Sequence, residues 1–312
     1  MQILTSFGNL GVGLFIGLSA YFLVDQGFKT YRITHILYQL HSYAWLIGGI
    51  ILALSFSIPY IDGVLTKELA YRALFPLGLE NWYVTGHILL LLAHPHLNYV
   101  ISKLSKRGHL SLISIWFIVW TIFPLLYVTM PFYSKYLLFL YIYFIVAYLK
   151  KYVRITQRTS IKLVVLGLLG NVLAPVWFGV FSYLRSDFAS MGRYLGHTYD
   201  LPNLLLVFGV LGIAINLKAQ SKPVINKVAT TTLAVYLIHE NPFIREMLWS
   251  KIDNAQVSNP VLLVVYGLLV SLVIFIVCVL IDLVKQATID RLVQPYLLKL
   301  DGRLKKLQGR LS

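Results

Sequence analysis

Acidic residues are scarce in this chain, twelve against 27 lysines and arginines in 312 residues, and charged residues of either sign make up only 12%. A soluble domain carries about 25% charge on average, so this chain cannot build an ordinary water-facing surface. No polar stretch is long enough to form a second, soluble domain. A single cysteine, Cys278, excludes an internal disulfide and leaves the redox compartment open. Strict polar–apolar alternation is missing, which excludes a transmembrane β-barrel. The start of the chain lacks a basic region and a small-residue cleavage site, so it does not read as a signal peptide. Catalytic signatures are also absent. Gly11-Val12-Gly13 is followed by apolar residues rather than a Walker lysine, and neither HExxH nor GxSxG occurs. No internal repeat is visible.

What the chain has is apolar length. Hydrophobic residues reach 58% and mean hydropathy is +0.74. The pattern predicts an all-α, polytopic bundle of about nine spans at 8–24, 36–58, 82–101, 110–130, 133–149, 163–184, 201–217, 227–249 and 260–284. Residues 1–284 form the transmembrane part and 285–312 a basic amphipathic tail. The net charge of +15 is not a nucleic-acid footprint, because the cations fall in short loops on alternate sides. Twenty of the 27 lie on one side, with four of the twelve acids. By the positive-inside rule that side is cytoplasmic, which puts the C-terminus inside and Met1 outside.

The opening stretch from Gly8 to His35 organises the rest. Gly13 and Gly17 form a GxxxG face open to close helix approach. Directly after this run come Lys29 and Arg32, one helical turn apart, with Tyr31 and His35 beside them. Such a pair of cations at a membrane surface suits an anionic ligand. Residues 59–81 read as an outer loop with a short interfacial helix, and Trp82 and Tyr83 open the third span at headgroup level. Within that span lie His87 and the triplet His94-Pro95-His96. Helical geometry points i and i+2 apart, so we expect pore-lining or interfacial histidines and no metal site.

The fourth and fifth spans are aromatic, nearly free of polar side chains, and read as lipid-facing wall. Pro124 interrupts the fourth, and Asn171 and Pro175 the sixth. The basic loop 150–162 suits anionic headgroups. The outer loop from Arg185 to Pro202, with Asp187, Arg193, His197 and Asp200, is open to an extracytoplasmic substrate or is ordinary loop polarity. In the run 223–249, His239 and Glu240 diverge by about 100° on a helix, which disfavours a dyad. Glu240 and Arg245 pair only if Pro242 kinks the chain. The tail alternates leucine and cation, as a helix lying on the inner leaflet does.

Three stretches together resemble the integral-membrane acyltransferases of family three. These include bacterial O-acetyltransferases of peptidoglycan, lipopolysaccharide and secreted polysaccharides. GVGLFIGLSAYFLVDQ resembles the family's second helix, with Ser19-Ala20-Tyr21 where Ser-Gly-Tyr is common. NWYVTGHILLLLAHPHLNYVI and INKVATTTLAVYLIHENPFIREMLW resemble two later ones. Lys29-Thr30-Tyr31-Arg32 resembles its RxxR motif, with lysine at the first position, a swap that keeps charge but loses one bidentate fork.

The resemblance implies an enzyme with no bound cofactor. It would transfer an acyl group, acetyl from acetyl-CoA, to a hydroxyl of a cell-envelope or exported glycan at a bacterial plasma membrane. It further implies donor binding by Lys29, Tyr31 and Arg32, and glycan contacts from Trp82, His239, Glu240 and Arg245. The family's ten helices have both termini cytoplasmic, so its second to tenth would match the nine spans here. Its first helix supplies a basic residue and a histidine thought to be catalytic, and nothing before Gly8 provides them. The expectation is therefore a longer natural chain or an inactive remnant. His35 and His239 are left as weak candidates for that base, and His87 is not an obvious replacement. A rival reading is a transporter or flippase for a lipid-linked sugar, built on broken helices at Pro124, Pro175 and Pro242.

Overall fold

A computed structural model of the chain describes residues 6–55, 71–72, 74–77, 81–123, 134–184, 196–218, 221–252, 257 and 259–311. Most of the expected interfacial helix in 59–81 lies outside the described residues, as do Pro124, Asp187 and Arg193. Among the described residues every regular element is helical. In chain order these are α1 (Leu10–Leu23), α2 (Thr30–Ser55), α3 (Trp82–Lys103), α4 (Lys106–Phe117), α5 (Lys135–Tyr152), α6 (Gln157–Leu184), α7 (Leu201–Asn216), α8 (Pro223–Ala229), α9 (Thr232–His239), α10 (Pro242–Lys251), α11 (Pro260–Lys285) and α12 (Arg291–Leu311). A π-helical turn, Ile118–Ile122, continues α4, and another, Gln286–Asp290, joins α11 to α12.

Three stretches are long and apolar enough to cross a bilayer: Thr30–Leu54, Gln157–Trp177 and Val261–Leu307. Leu10–Leu23 and Leu201–Asn216 are apolar but shorter. At 14 residues α1 is about 21 Å long, less than the roughly 30 Å hydrocarbon core. The chain divides into two compact units, residues 1–28 with 89–219, and 29–88 with 220–312.

The first unit is centred on α5. Leu138, Phe139, Tyr141, Ile142, Tyr143, Phe144, Val146 and Ala147 are all buried. The fifth span is therefore this unit's core rather than a lipid-facing wall. Its two fully buried tyrosines, Tyr141 and Tyr143, explain the reversal, because the hydroxyl of each finds a partner inside. Tyr143 donates to Asn98 Oδ1 at 2.7 Å, and the Tyr141 hydroxyl lies 3.3 Å from that of Thr121. The π turn after α4 buries Thr121, whose hydroxyl donates to the Tyr199 carbonyl at 2.8 Å.

The GxxxG face of α1 packs on α7. A Cβ on Gly13 would meet Val207 Cγ2 at 2.6 Å, so only glycine fits there. Backbone approaches backbone again between α6 and α7. A Cβ on Gly209 would lie 2.8 Å from the Val164 nitrogen.

Helix α6 runs unbroken through Asn171 and Pro175. Proline removes the N–H that would bond the carbonyl four residues earlier. That carbonyl, on Asn171, accepts the Ser6 hydroxyl instead, at 3.0 Å. The Asn171 amide donates to Asn203 Oδ1 at 3.2 Å, tying α6 to α7. The helix continues because the orphaned group is repaired from outside.

In the second unit a core of Leu40, Tyr43, Val84, Ile88, Ala234, Leu237, Ile238 and Cys278 joins α2, the start of α3, α9 and α11. The run 227–249 is not one helix but pieces of α8, α9 and α10. The hydroxyls of Thr230, Thr231 and Thr232 donate to the carbonyls of Lys227, Val228 and Ala229 at 2.7, 2.7 and 3.0 Å. This back-bonding competes with the helical ladder and ends α8. The second break follows from Asn241, whose side chain accepts from the Phe243 N–H at 3.2 Å, and from Pro242 at the first turn of α10. The tail continues α11 as helix through the π turn, over residues 286–311, and belongs to this unit.

Candidate functional site

The second unit gathers the sequence-nominated residues along α2, α3 and α9. Arg32 is half-buried, and its Nη1 has no hydrogen-bond partner among the described residues. Thr30 Oγ1, Gln39 Oε1 and His87 Nδ1 share that condition. Arg32 and Gln39 are seven residues apart and so share one face of α2. Buried polar atoms without partners carry a desolvation cost of about 1–3 kcal/mol each, and their concentration here marks a place built to contact something polar.

Lys29 and Arg32 do not form the two-pronged surface fork that their spacing suggests. Lys29 precedes α2 and is exposed, whereas the Arg32 side chain has an enclosed nitrogen. Tyr31 is 37% exposed, with the Lys305 ammonium 6.0 Å from its ring. His35 is exposed, away from the core-facing residues Ile36 and Leu40.

From His87 a row of rings leads onward. Tyr83 stacks on His87 at 6.1 Å and meets Tyr236 edge-on at 5.5 Å, and Tyr236 lies 6.4 Å from His239. Trp82 contacts the edge of Tyr83 at 6.2 Å. His239 ends α9, and Glu240 follows as its cap. The Glu240 backbone is still helical, with its N–H bonding the Tyr236 carbonyl at 3.1 Å, yet the two side chains turn towards each other and His239 Nε2 lies 3.6 Å from Glu240 Oε1. Arg245 Nη1 lies 3.6 Å from Glu240 Oε2, across the turn that Pro242 opens. His239 Nδ1–H donates to the Val235 carbonyl at 2.5 Å, which leaves Nε2 as the basic nitrogen. An imidazole anchored this way, with a carboxylate at its free nitrogen, is equipped to accept a proton.

The His94-Pro95-His96 triplet has a structural explanation. His94 is buried and its Nδ1 donates to the Leu91 carbonyl at 2.7 Å, while His96 is exposed. The placement is neither interfacial nor pore-lining for His94. No cluster of three or more metal-ligating side chains exists among the described residues.

The turn before α7 places Asp200 Oδ2 to accept from the N–H groups of Gly196 and His197 at 2.9 and 2.8 Å. Burial pushes the Asp200 carboxyl up to about 7, against those two donors, and burial lowers His197.

Sequence reasoning missed a buried ionic cluster in the second unit. Lys285 is 3% exposed and its Nζ bonds Asp290 Oδ1 at 2.6 Å. Its ammonium sits over the rings of Tyr38 and Tyr43, at 5.0 and 4.8 Å. Tyr38 donates to Asp290 at 2.6 Å, Tyr43 to the fully buried Asp282, and Thr34 to Asp301 at 2.6 Å. Gln286 closes the network onto Asp282 at 2.7 Å. The available signal was one acid, Asp282, in the last apolar span and two, Asp290 and Asp301, on the otherwise basic tail. Every charge here is answered, so the cluster clamps α2 to α11 and α12 rather than offering a ligand site.

Compared with models of protein families, with curated proteins and with solved structures, the chain gives no match.

Proposed function

We propose that the chain is a membrane-bound acyltransferase that O-acetylates a cell-envelope or exported glycan, with acetyl-CoA as donor. It acts in a bacterial plasma membrane as a nine-span bundle with a cytoplasmic C-terminus. The observation that carries the reading is the partnerless Arg32 Nη1 at the start of α2, where the resemblance to the RxxR motif falls. Lys29, exposed, meets the donor's phosphates, and Arg32 reaches inward to an oxygen of the bound donor. The glycan hydroxyl oxygen attacks the thioester carbonyl carbon, its proton passes to a histidine, and the coenzyme leaves as the thiol. His239 fits the base by its tautomer and its carboxylate neighbour. Trp82, Glu240 and Arg245 line its approach.

The topology is supported by the first unit, where Lys150 reaches carbonyls at the end of α1 and Lys151 one at the end of α3. Helices α1, α3 and α5 thus finish at one level, as alternate spans of a polytopic chain do.

Mass spectrometry of surface polysaccharide from cells with and without the protein tests the activity. An acetyl mass difference that disappears with Arg32→Ala is expected, and unchanged ester content defeats the reading. The breaks at Thr230–Thr231 and Glu240–Asn241 favour one rival, a transporter of lipid-linked sugar. It predicts movement of substrate with no new ester.

A further inference from the structure

In the first unit an open cleft of about 510 Å³ lies where α1, α5 and α7 end, lined by Tyr21, by Val146 and residues 149–155, and by residues on α7 from Phe208 to Asn216. That volume falls within the roughly 300–1,000 Å³ of ligand sites. Its floor is apolar, with Val146, Leu149, Phe208, Leu211 and Ile215. Its charged lining is entirely cationic: Lys150, Lys151 and Arg154.

The bland account is that these cations neutralise helix C-termini, whose exposed carbonyls attract positive charge. It holds for two of them. Lys150 Nζ donates to the carbonyls of Tyr21 and Val24 at 3.1 and 2.9 Å and lies 3.6 Å from Asp25. Lys151 donates to the Ile101 carbonyl at 3.3 Å. Arg154 is left over. It is exposed and has no protein partner among the described residues, so its five donors face the cleft and its surroundings unanswered.

We propose that this cleft is a binding site for one anionic phospholipid, its phosphate on the Arg154 guanidinium and an acyl chain along the apolar floor. The lysines make the site possible by cancelling the helix-end dipoles that would otherwise repel an anion. A planar guanidinium accepts a phosphate through two parallel hydrogen bonds, which a zwitterionic lipid offsets with its own ammonium. A polar head at one end and a hydrocarbon slot at the other match a lipid rather than a soluble phosphate. The inference stands on the first unit alone and does not depend on the proposed chemistry of the second.

Native mass spectrometry of the whole chain, released from bilayers of mixed phosphatidylglycerol and phosphatidylcholine, tests it. The expected result is one retained phosphatidylglycerol per chain and no retained phosphatidylcholine. Arg154→Glu should cut that retention at least tenfold, and Ile215→Trp, which fills the slot without touching charge, should do the same. Lys218→Glu, a cation change outside the cleft, should leave retention as in the parent. Equal retention of both lipids overturns the proposal. So does a Lys218→Glu effect as large as that of Arg154→Glu, which would mean diffuse attraction. Displacement of the lipid by excess pyrophosphate would assign the site to a soluble anion and likewise overturn it.

Discussion

The Nδ1–H of His94 donates to the carbonyl of Leu91, which is the carbonyl that Pro95 deprives of its helical partner. The imidazole is thus a repair built into α3, one position before the residue that makes it necessary. The same logic operates in α6, where Ser6 answers the carbonyl freed by Pro175. Prolines that read as interruptions are carried within continuous helices because a polar group from elsewhere closes the ledger of backbone bonds.

On this account His94→Phe lowers stability by about 1–3 kcal/mol, since a buried acceptor is left bare. In a Pro95→Ala background the backbone N–H restored by the alanine can serve Leu91, and the cost of His94→Phe should shrink to well under half. A double-mutant cycle by thermal unfolding in detergent measures this coupling, and additive losses would refute it.

Lys285→Met should cost about 3–5 kcal/mol, because it strands Asp290 in a half-enclosed site with only Tyr38 as donor. Adding Asp290→Asn should recover much of the loss by removing the unpaired charge. Unfolding midpoints of the purified single and double variants decide the matter.

Gly13→Ala should destabilise by about 1–3 kcal/mol, as the added methyl would drive into Val207 Cγ2 and the Thr198 methyl, 2.6 and 2.7 Å from its position. Val207→Ala in the same chain should relieve part of that cost. Gly11→Ala, where a Cβ meets nothing within 4 Å, is the matched control and should be neutral or slightly stabilising.

The turn before α7 carries a pH signature of known sign. Asp200 titrates higher when folded, at about 7 against an ordinary carboxyl near 4, so the folded state holds its proton more tightly. Its contribution is complete below about pH 4 and is lost as pH rises towards 7. Buried His197 acts oppositely, its contribution present above about pH 6.5 and lost as pH falls. Asp200→Asn keeps an acceptor for Gly196 and His197 and should flatten the decline between about pH 4 and 7. A melting series across that range checks it, and an unchanged slope would count against the burial argument.

The all-helical architecture was legible from composition, and the GxxxG seam from Gly13 and Gly17 alone, because both depend on local pattern. What hid from the sequence depended on partners far along the chain. The aromatic run of α5 looks the same whether it meets lipid or protein, and only Asn98 and Thr121, distant in sequence, decide the question for Tyr143 and Tyr141. The approach of His239 to Glu240 was not legible, because a 100° step between backbone positions does not fix where two long side chains end. The inward turn of Arg32 was also unreadable, since spacing fixes the face a residue occupies but not how deep its side chain is enclosed. Trp82, His239, Glu240 and Arg245 are linked in the structure by ring contacts from Trp82 to His239 and by ion pairs through Glu240, none of which spacing alone specifies.

From Pro260 to Leu311 the backbone is helical without a gap, a rod of about 75–80 Å. Its far part is grafted onto α2 through Thr34 and Asp301, and its middle through Tyr38 and Asp290. Mechanically this makes the last helix a tiller. A force applied to the exposed cations near its tip, whether from a charged surface or a bound molecule, is delivered to the helix that bears Arg32.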